Sequence, residues 1–545
     1  VRKPVSVLGL TMLSLQCFAG ELEIKPRLST SILSYETQTD SDAFPEGDVL
    51  SVVANPSVTL TYESPIFDTL FLINHRNIRQ DFEDQDDISS NFTEYTFRSS
   101  VDIVKNYLTA QASSNLNFRN TDPTQTLVND FFLGGGDLTK VRNSGAGLFF
   151  TTPNPRLFGI DWSGQFAKIE SEQTTTPDQS LNLQNLDSEN TQYNFRFYEG
   201  DNFQRVSWNL TTEFQDTTRE DSNQNDLRSR TIDGRISFAL LSKLRLTLVG
   251  NNEENQLRNG NDNDLGIGSL DFTSYGAGLE WYSSPQRRIA VTFNRTDDED
   301  DGNDNTQEDG ENNFLGVDVN WAFSSRTNLQ ANLSRRFFGE SKSGRFNYNT
   351  RSFRISASYN ESLTTFSRLL ANNEDLGVFV CPAGDPQLSS CFQPDTLSFQ
   401  LQPDQQFFSF FEQIPEISEE VTLRKFGSLD FGYNRTRLTV SLALSASQTE
   451  FLETQREQDN NSIRLSTNYQ LSQKTTLVAN ANFTRTEFTD TNTKDDVRNH
   501  SIGINREFSQ KLSADFSFRF LDRDSDDIDR DLQDRRLTLE LTYNF

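Results

Sequence analysis

This chain is poor in the residues from which catalytic and metal sites are usually built. Its 545 residues include only 2 His, 3 Cys, 1 Met and 4 Trp. With His75 and His500 as the sole imidazoles, a Ser-His-Asp arrangement has two candidate bases, and neither lies in a motif. His500, in VRNHSIGIN, shares its alternation with Ile502 and Ile504 and reads as lipid-facing. Clusters of His and Cys for a metal are missing. GGGDLTK at 134–140 lacks the spacing and the helix of a phosphate loop and reads as a loop before a strand. The expectation is a protein that is not an enzyme and has no resident cofactor. Positive charge is also short, with 50 Lys and Arg against 79 Asp and Glu, a net −29. Nothing offsets phosphate repulsion, so nucleic acid is excluded as a partner. Past residue 20, no stretch approaches the roughly 18 apolar residues of a spanning helix.

What is abundant is Phe, at 45 residues, together with Asn and Thr. The first residues read as an export signal over 1–19: basic Arg2 and Lys3, an apolar core from Val5 to Leu15, then Cys17-Phe18-Ala19 at the cleavage position. Gln16 and Phe18 argue against lipid attachment at Cys17. Cys381 and Cys391 then remain, ten positions apart in CPAGDPQLSSC, and in an oxidising compartment they read as a loop-stapling disulfide.

From residue 20 to 545 the chain repeats one unit. LRLTLVG at 244–250, RIAVTFN at 288–294, FLGVDVNWAF at 314–323, RLTVSLALSA at 437–446 and KLSADFSFRF at 511–520 each alternate apolar with polar residues. Short turns such as Ser64-Pro65, Ser242-Lys243, Ser325-Arg326 and Asn434-Arg435 alternate with long polar loops. The pattern predicts an all-β fold: one large transmembrane antiparallel up-and-down barrel of about 24 strands, with short periplasmic turns and long acidic outer loops. A soluble sandwich would need a second apolar layer and protected edges, and two dozen strands with one pattern supply neither.

Alternation then assigns the faces. Trp162, Trp208, Trp281 and Trp321 fall on the apolar side, several near short turns, and with Tyr282 they are candidates for an interfacial girdle. The opposite face is expected to be wet and to line the lumen with both signs of charge. Its basic members are Arg98, Arg196, Arg235, Arg245, Arg288, Arg354, Arg464 and Arg519. Its acidic members are Asp102, Asp161, Glu280, Asp318, Asp430, Asp515 and Glu540. The ending RRLTLELTYNF puts Leu537, Leu539, Leu541, Tyr543 and Phe545 on the lipid side. That ladder with a terminal Phe resembles the signal read by the outer-membrane barrel-assembly machinery. The compartment expected is the outer membrane of a Gram-negative bacterium, with lipid and lipopolysaccharide as neighbours.

Three acidic runs fall on the long-loop side: DFEDQDD at 81–87, DDEDDGNDNTQEDGE at 297–311 and DRDSDDIDRDLQD at 522–534. Asp297, Glu299, Asp301 and Glu308 sit at the spacing of Ca²⁺-loop ligands, with Gly302 at the turn. Glu at the third position, Asp304 at the anchoring eighth and flanking strands instead of helices depart from that pattern. A solvated loop that collects Ca²⁺ or Mg²⁺ loosely is the plainer reading. The longest connection, about 373–418, holds both Cys and FFSFFEQIPEI, and a loop of that length reads as folding into or over the pore, or as an outer lid.

The opening ELEIKPRLSTSILSYETQTDSD, the following VVANPSVTLTYES, NFTEYTFRSSVDIVKNYLTAQASSNLNFR and later RISASYNES resemble bacterial outer-membrane barrels associated with the PEP-CTERM sorting system and exopolysaccharide gene clusters. That resemblance implies a link to exopolysaccharide or its export components and assigns no ligand residue. Two functions stay open: a porin-like or export-associated pore, and a non-conducting scaffold that organises surface polysaccharide through cations. An outer-membrane hydrolase is a third, and it would require His75 or His500.

Overall fold

The computed structural model describes residues 20–39, 47–82, 87–120, 131–132, 138–173, 187–203, 205–219, 225–259, 271–284, 286–296, 313–365, 368, 378–382, 405–409, 420–490, 492–526 and 531–545. Twenty-four strands form one antiparallel sheet in which each strand pairs with its neighbour in sequence. The sheet closes where β26 (Leu532–Asn544) pairs with β1 (Glu21–Thr39), in a register running from Arg27 opposite Asn544 to Thr39 opposite Leu532. Closure removes both edges, so every strand has a partner on each side. The remaining two strands, β18 (Val378–Pro382) and β19 (Gln405–Ser409), form a separate hairpin within the long connection.

Alternation produces two different faces. Along β26, Leu537, Leu539, Leu541 and Tyr543 are exposed, while Arg536, Glu540 and Thr542 between them are buried. Ile502 and Ile504 on β24 (Thr493–Glu507), and Phe516 and Phe518 on β25 (Leu512–Ser525), continue this outward ladder around the ring. Apolar side chains pointing away from a closed sheet need lipid, because water would leave that surface uncompensated.

The outward face has a clear lower limit and a clear upper one. Next to the short turns it carries aromatic pairs: Tyr62 with Phe67, Phe203 with Trp208, Trp281 with Trp321, Phe353 with Tyr433 and Tyr543 with Phe545, ring centroids 4.6–5.8 Å apart. Toward the long loops the same face turns charged, with ion pairs Arg498–Asp522 at 3.0 Å, Arg485–Asp496 at 2.7 Å and Lys140–Glu172 at 2.9 Å. Such exposed pairs contribute little stability. They mark where the strands leave the hydrocarbon.

Three expectations need correction. The inner face is not wet throughout: toward the long-loop end Leu33, Tyr35, Val49, Val53, Ile78, Phe92, Leu138, Val497, Leu521 and Leu532 pack into two buried apolar clusters inside the ring. The alternation of short and long connections is also incomplete: on the long-loop side β15 (Thr327–Arg336) and β16 (Gly339–Asn349) join through Phe337 and Phe338 alone, and four residues connect β21 (Leu438–Phe451) to β22 (Arg456–Ser472) and β23 (Thr475–Phe488) to β24. Gly339, at φ 103°, lets so short a turn close. Finally, Tyr282 does not join the girdle. Trp281 points outward, so its neighbour points inward, where the Arg245 guanidinium lies 3.4 Å from the Tyr282 ring centre.

Replacing a mid-belt lipid-facing residue by a charge should be costly here. Leu539→Arg is expected to lower unfolding free energy by about 2–4 kcal/mol in liposomes. Thr538→Asn, one residue away on the inner face, should cost clearly less. Urea titration of the refolded barrel measures both.

Candidate functional site: a charged lumen crossed by side chains at its loop end

Near its short-turn end the lumen carries a network built across five consecutive strands, β10 (Asn225–Ala239) to β14 (Asn313–Ser324). Arg235 donates from Nη2 to Glu280 Oε2 at 2.7 Å and from Nη1 to Asp318 Oδ1 at 3.1 Å. Arg288 approaches Asp318 at 3.6 Å, and Arg245 approaches Glu280 at 3.9 Å. Side chains on alternate strands meet because the inner face of a curved sheet converges. Glu280 is almost fully buried, and the two guanidiniums beside it offset the cost of burying its carboxylate.

The other expected lumen charges are distributed around the ring. Arg196 Nε donates to Asn209 Oδ1 at 2.8 Å and its guanidinium lies 4.8 Å from the Tyr198 ring centre. Asp161 accepts from Thr151 Oγ1 at 2.6 Å, and Asp102 accepts from Thr109 Oγ1 at 2.8 Å. Asp430 shares a rung with Arg464 through Ala443. Arg354 stands opposite Gly432, Asp515 opposite Glu540, and Arg519 opposite Arg536. Arg98 stands opposite Ser113 on the inner face.

At the loop end the lumen is crossed by side chains. In a round ring of 24 strands spaced about 4.8 Å apart, points ten strands apart would be about 35 Å from one another. Arg219, the last residue of β9 (Val206–Arg219), nonetheless reaches Glu453, in the turn after β21 (Leu438–Phe451), at 3.5 Å. Arg368 follows β17 (Phe353–Thr364) and reaches the β9–β10 wall eight strands away. There it donates from Nε to Thr217 Oγ1 at 2.8 Å, from Nη1 to Ser229 Oγ at 3.1 Å and from Nη2 to the Leu227 carbonyl at 2.9 Å. Burial lowers the Arg368 pKa from its usual value to about 9, with Glu213 and Asp216 opposing that shift. A third link joins Arg336, at the end of β15, to Glu253 on β11 (Leu244–Asn259), with Nε–Oε2 at 2.9 Å and Nη2–Oε1 at 2.5 Å.

The opposite flank is filled by a wedge. Phe131 and Phe132, from the connection between β5 (Leu108–Asn120) and β6 (Leu138–Thr151), insert among the buried apolar clusters. Phe131 stacks edge-on against Phe92 at 4.9 Å with the Arg76 guanidinium 4.1 Å from its ring centre. Phe132 meets Tyr35 edge-on at 6.2 Å and lies 4.8 Å from the Arg536 guanidinium. Each ring thus has both an aromatic edge and a cation, and such contacts each contribute on the order of 1 kcal/mol beyond area burial.

The sequence reading named none of Phe131, Phe132, Arg219, Arg368 or Glu453. The first two carried a usable signal: a Phe pair inside a polar, glycine-rich connection needs a buried place to go. The arginines carried none, since long-range pairing leaves no local pattern. The expected closing loop at about 373–418 is described only in its β18–β19 hairpin, where Cys381 pairs in the backbone ladder with Gln406. Cys391, the acidic ligand candidates Asp297, Glu299, Asp301 and Glu308, and the export signal lie outside the described residues. Among the described residues no group of three His, Cys, Asp or Glu is placed to hold a metal ion. His75 is exposed on the outer face, its Nδ1 2.8 Å from Thr93 Oγ1, and His500 is exposed on the outer face as well.

Closure, an outward apolar ladder bounded by aromatics, and a charged lumen define a membrane-spanning β-barrel of the outer-membrane type. No protein-family model and no curated protein matches the chain. Among solved structures it is similar to the FrpB iron transporter from Neisseria meningitidis, at 9% identity and TM-score 0.43, over 95% of this chain and 82% of that one. It is also similar to the ferric-catecholate import receptor Fiu from E. coli K12, at 8% identity and TM-score 0.40, over 96% and 82%. The siderophore receptor PirA from Pseudomonas aeruginosa matches at 9% identity and TM-score 0.36, over 96% and 80%.

Removing one partner from the lumen network should expose its dependence on pairing. Arg235→Ala strands the buried Glu280 beside Arg245 alone and is expected to cost about 3 kcal/mol of unfolding free energy. Adding Glu280→Gln in the same chain should recover part of that loss, as read by urea denaturation in a double-mutant cycle.

Proposed function

We propose that this barrel is a gated channel for polar solutes, held closed at its loop end by the Phe131–Phe132 wedge and the Arg219–Glu453 and Arg368 links. The supporting observation is the contrast along the lumen. Its short-turn end is lined by paired charges, whereas its outer mouth is crossed by the Arg219–Glu453 contact between points ten strands apart and by Arg368, which follows β17 and bonds to the β9–β10 wall. A scaffold with no transport role would need neither a network of paired charges inside the lumen nor separable closing elements. The resemblance of its strands to exopolysaccharide-associated barrels makes a role in that export or its surface organisation part of the same proposal. The net charge of −29 disfavours an anionic polymer as the passing solute.

Planar-bilayer recordings test the reading. The native barrel should open rarely. Phe131→Ala with Phe132→Ala, or Glu453→Gln, should raise open probability at least several-fold, and combining all three should give the largest conductance. A barrel that stays silent in every variant is not a channel.

A further inference from the structure

The short-turn end of the barrel carries a charge opposite to that of the chain as a whole. The sequence has 79 acidic against 50 basic residues, and its acidic runs at 81–87, 297–311 and 522–534 all fall on the long-loop side. Of the eleven short turns, nine contain a single Lys or Arg, and Asp201 is the one carboxylate among them. The strand ends beside the turns carry both signs, Arg287 and Arg435 against Glu63 and Asp68, so the excess belongs to the turns themselves.

Two further features set these cations apart. All nine are exposed, and among the described residues none forms an ion pair with a carboxylate. Cations on the outward face at the opposite end do: Arg485 pairs with Asp496, Arg498 with Asp522 and Lys140 with Glu172. The second feature is an exposed apolar side chain close by in sequence, Leu157 beside Arg156, Phe203 near Arg205, Leu241 near Lys243 and Phe353 near Arg351. Lys105, Arg326, Arg437, Lys474 and Lys511 hold the corresponding place in five other turns. An apolar anchor next to a cation suits a membrane boundary, with the anchor at the acyl chains and the cation at the phosphates. The outward aromatic pairs mark that boundary at the same end.

Distribution decides what the cations face. Successive short turns are two strands apart, about 10 Å, so the charges are spread singly around the perimeter and do not gather into one patch. A protein docked under the barrel would meet a few of them, whereas a leaflet that surrounds the barrel meets them all. We propose that the short turns form a cationic collar for anionic phospholipid headgroups of the periplasmic leaflet. Each unpaired Lys or Arg attracts a headgroup phosphate, and lipids with a net negative charge gain more from this than zwitterionic ones. The collar goes beyond the channel reading and holds whether or not the barrel conducts.

The four Trp are its reporters. Trp162 follows Arg156, Trp208 follows Arg205, Trp281 stands opposite Leu244 beside Lys243, and Trp321 precedes Arg326. The experiment folds the full-length barrel into phosphatidylcholine vesicles containing brominated phosphatidylglycerol or, at the same fraction, brominated phosphatidylcholine, and measures quenching of Trp fluorescence. In dilute buffer the anionic lipid should associate at least twofold more strongly than the zwitterionic one, and the ratio should fall toward one in about 0.5 M NaCl. Arg156→Gln, Arg205→Gln, Lys243→Gln and Arg326→Gln together should remove the preference. Arg156→Lys, Arg205→Lys, Lys243→Arg and Arg326→Lys together should keep it, as should Lys140→Gln, Arg485→Gln and Arg498→Gln at the other end. Heat-modifiable gel mobility confirms that each variant is folded, and Arg326→Gln alone, beside Trp321, should already lower the ratio. Equal quenching by the two lipids in dilute buffer, or a preference that survives in the folded four-Gln variant, overturns the collar. Polyglutamate retained by a barrel without lipid preference, and released by the same four Gln substitutions, would overturn it in favour of an acidic protein partner.

Discussion

A strand in hydrocarbon has no water to bond to, so each backbone N–H and C=O must find a partner in the sheet itself. The pairing of β26 with β1 is what meets that requirement, because it turns a sheet with two open edges into a ring with none. Everything else follows from the ring. A period of two then sorts each strand into a lipid side and an enclosed side, and register carries that sorting around the ring, with shifts only beside short turns, at Tyr282/Ser284, Ala322/Ser324, Gln470/Ser472 and Asp102/Val104. Lipid accepts Leu, Ile and Phe on one side. The enclosed side is free to hold charge.

The enclosed side is used differently at different depths. Near the short turns it holds arginines against carboxylates on strands β10 to β14, an arrangement whose cost of burial is met by short charge-assisted hydrogen bonds. Toward the loops it becomes apolar on one flank, around Phe131 and Phe132, and amide-rich on the other, beneath Arg368. Arg368 has a double role in this layout. It bonds the β9–β10 wall from the connection after β17, through Thr217, whose hydroxyl in turn donates to the Asn190 side chain.

The fold was legible in the sequence because a barrel repeats a local rule. Segments such as RLTVSLALSA state both the strand and its faces, and the strand number followed from the turns between them. One place where that reading slipped, at β15 and β16, is where the outer connection shrinks to Phe337 and Phe338 and no polar loop announces it. Tyr282 was misassigned for a related reason: proximity to Trp281 suggested a shared layer, while alternation puts the two rings on opposite faces. The closing elements were not legible at all. Arg219 and Glu453 are 234 positions apart by their numbers (453 − 219), and nothing local to either residue names the other.

The Arg219–Glu453 link also bears on what opening would demand of the wall. A ring of hydrogen-bonded strands has a fixed perimeter, but the area it encloses depends on shape, and a pinched outline encloses less than a round one. On the gating proposed above, drawing two walls together at the mouth would narrow the passage without breaking a rung of the ladder. Release of a few side-chain contacts would let the outline round up while the backbone bonds stay intact. In that proposal the lock and the wall are mechanically independent, and a change of bore leaves the seal against the lipid intact.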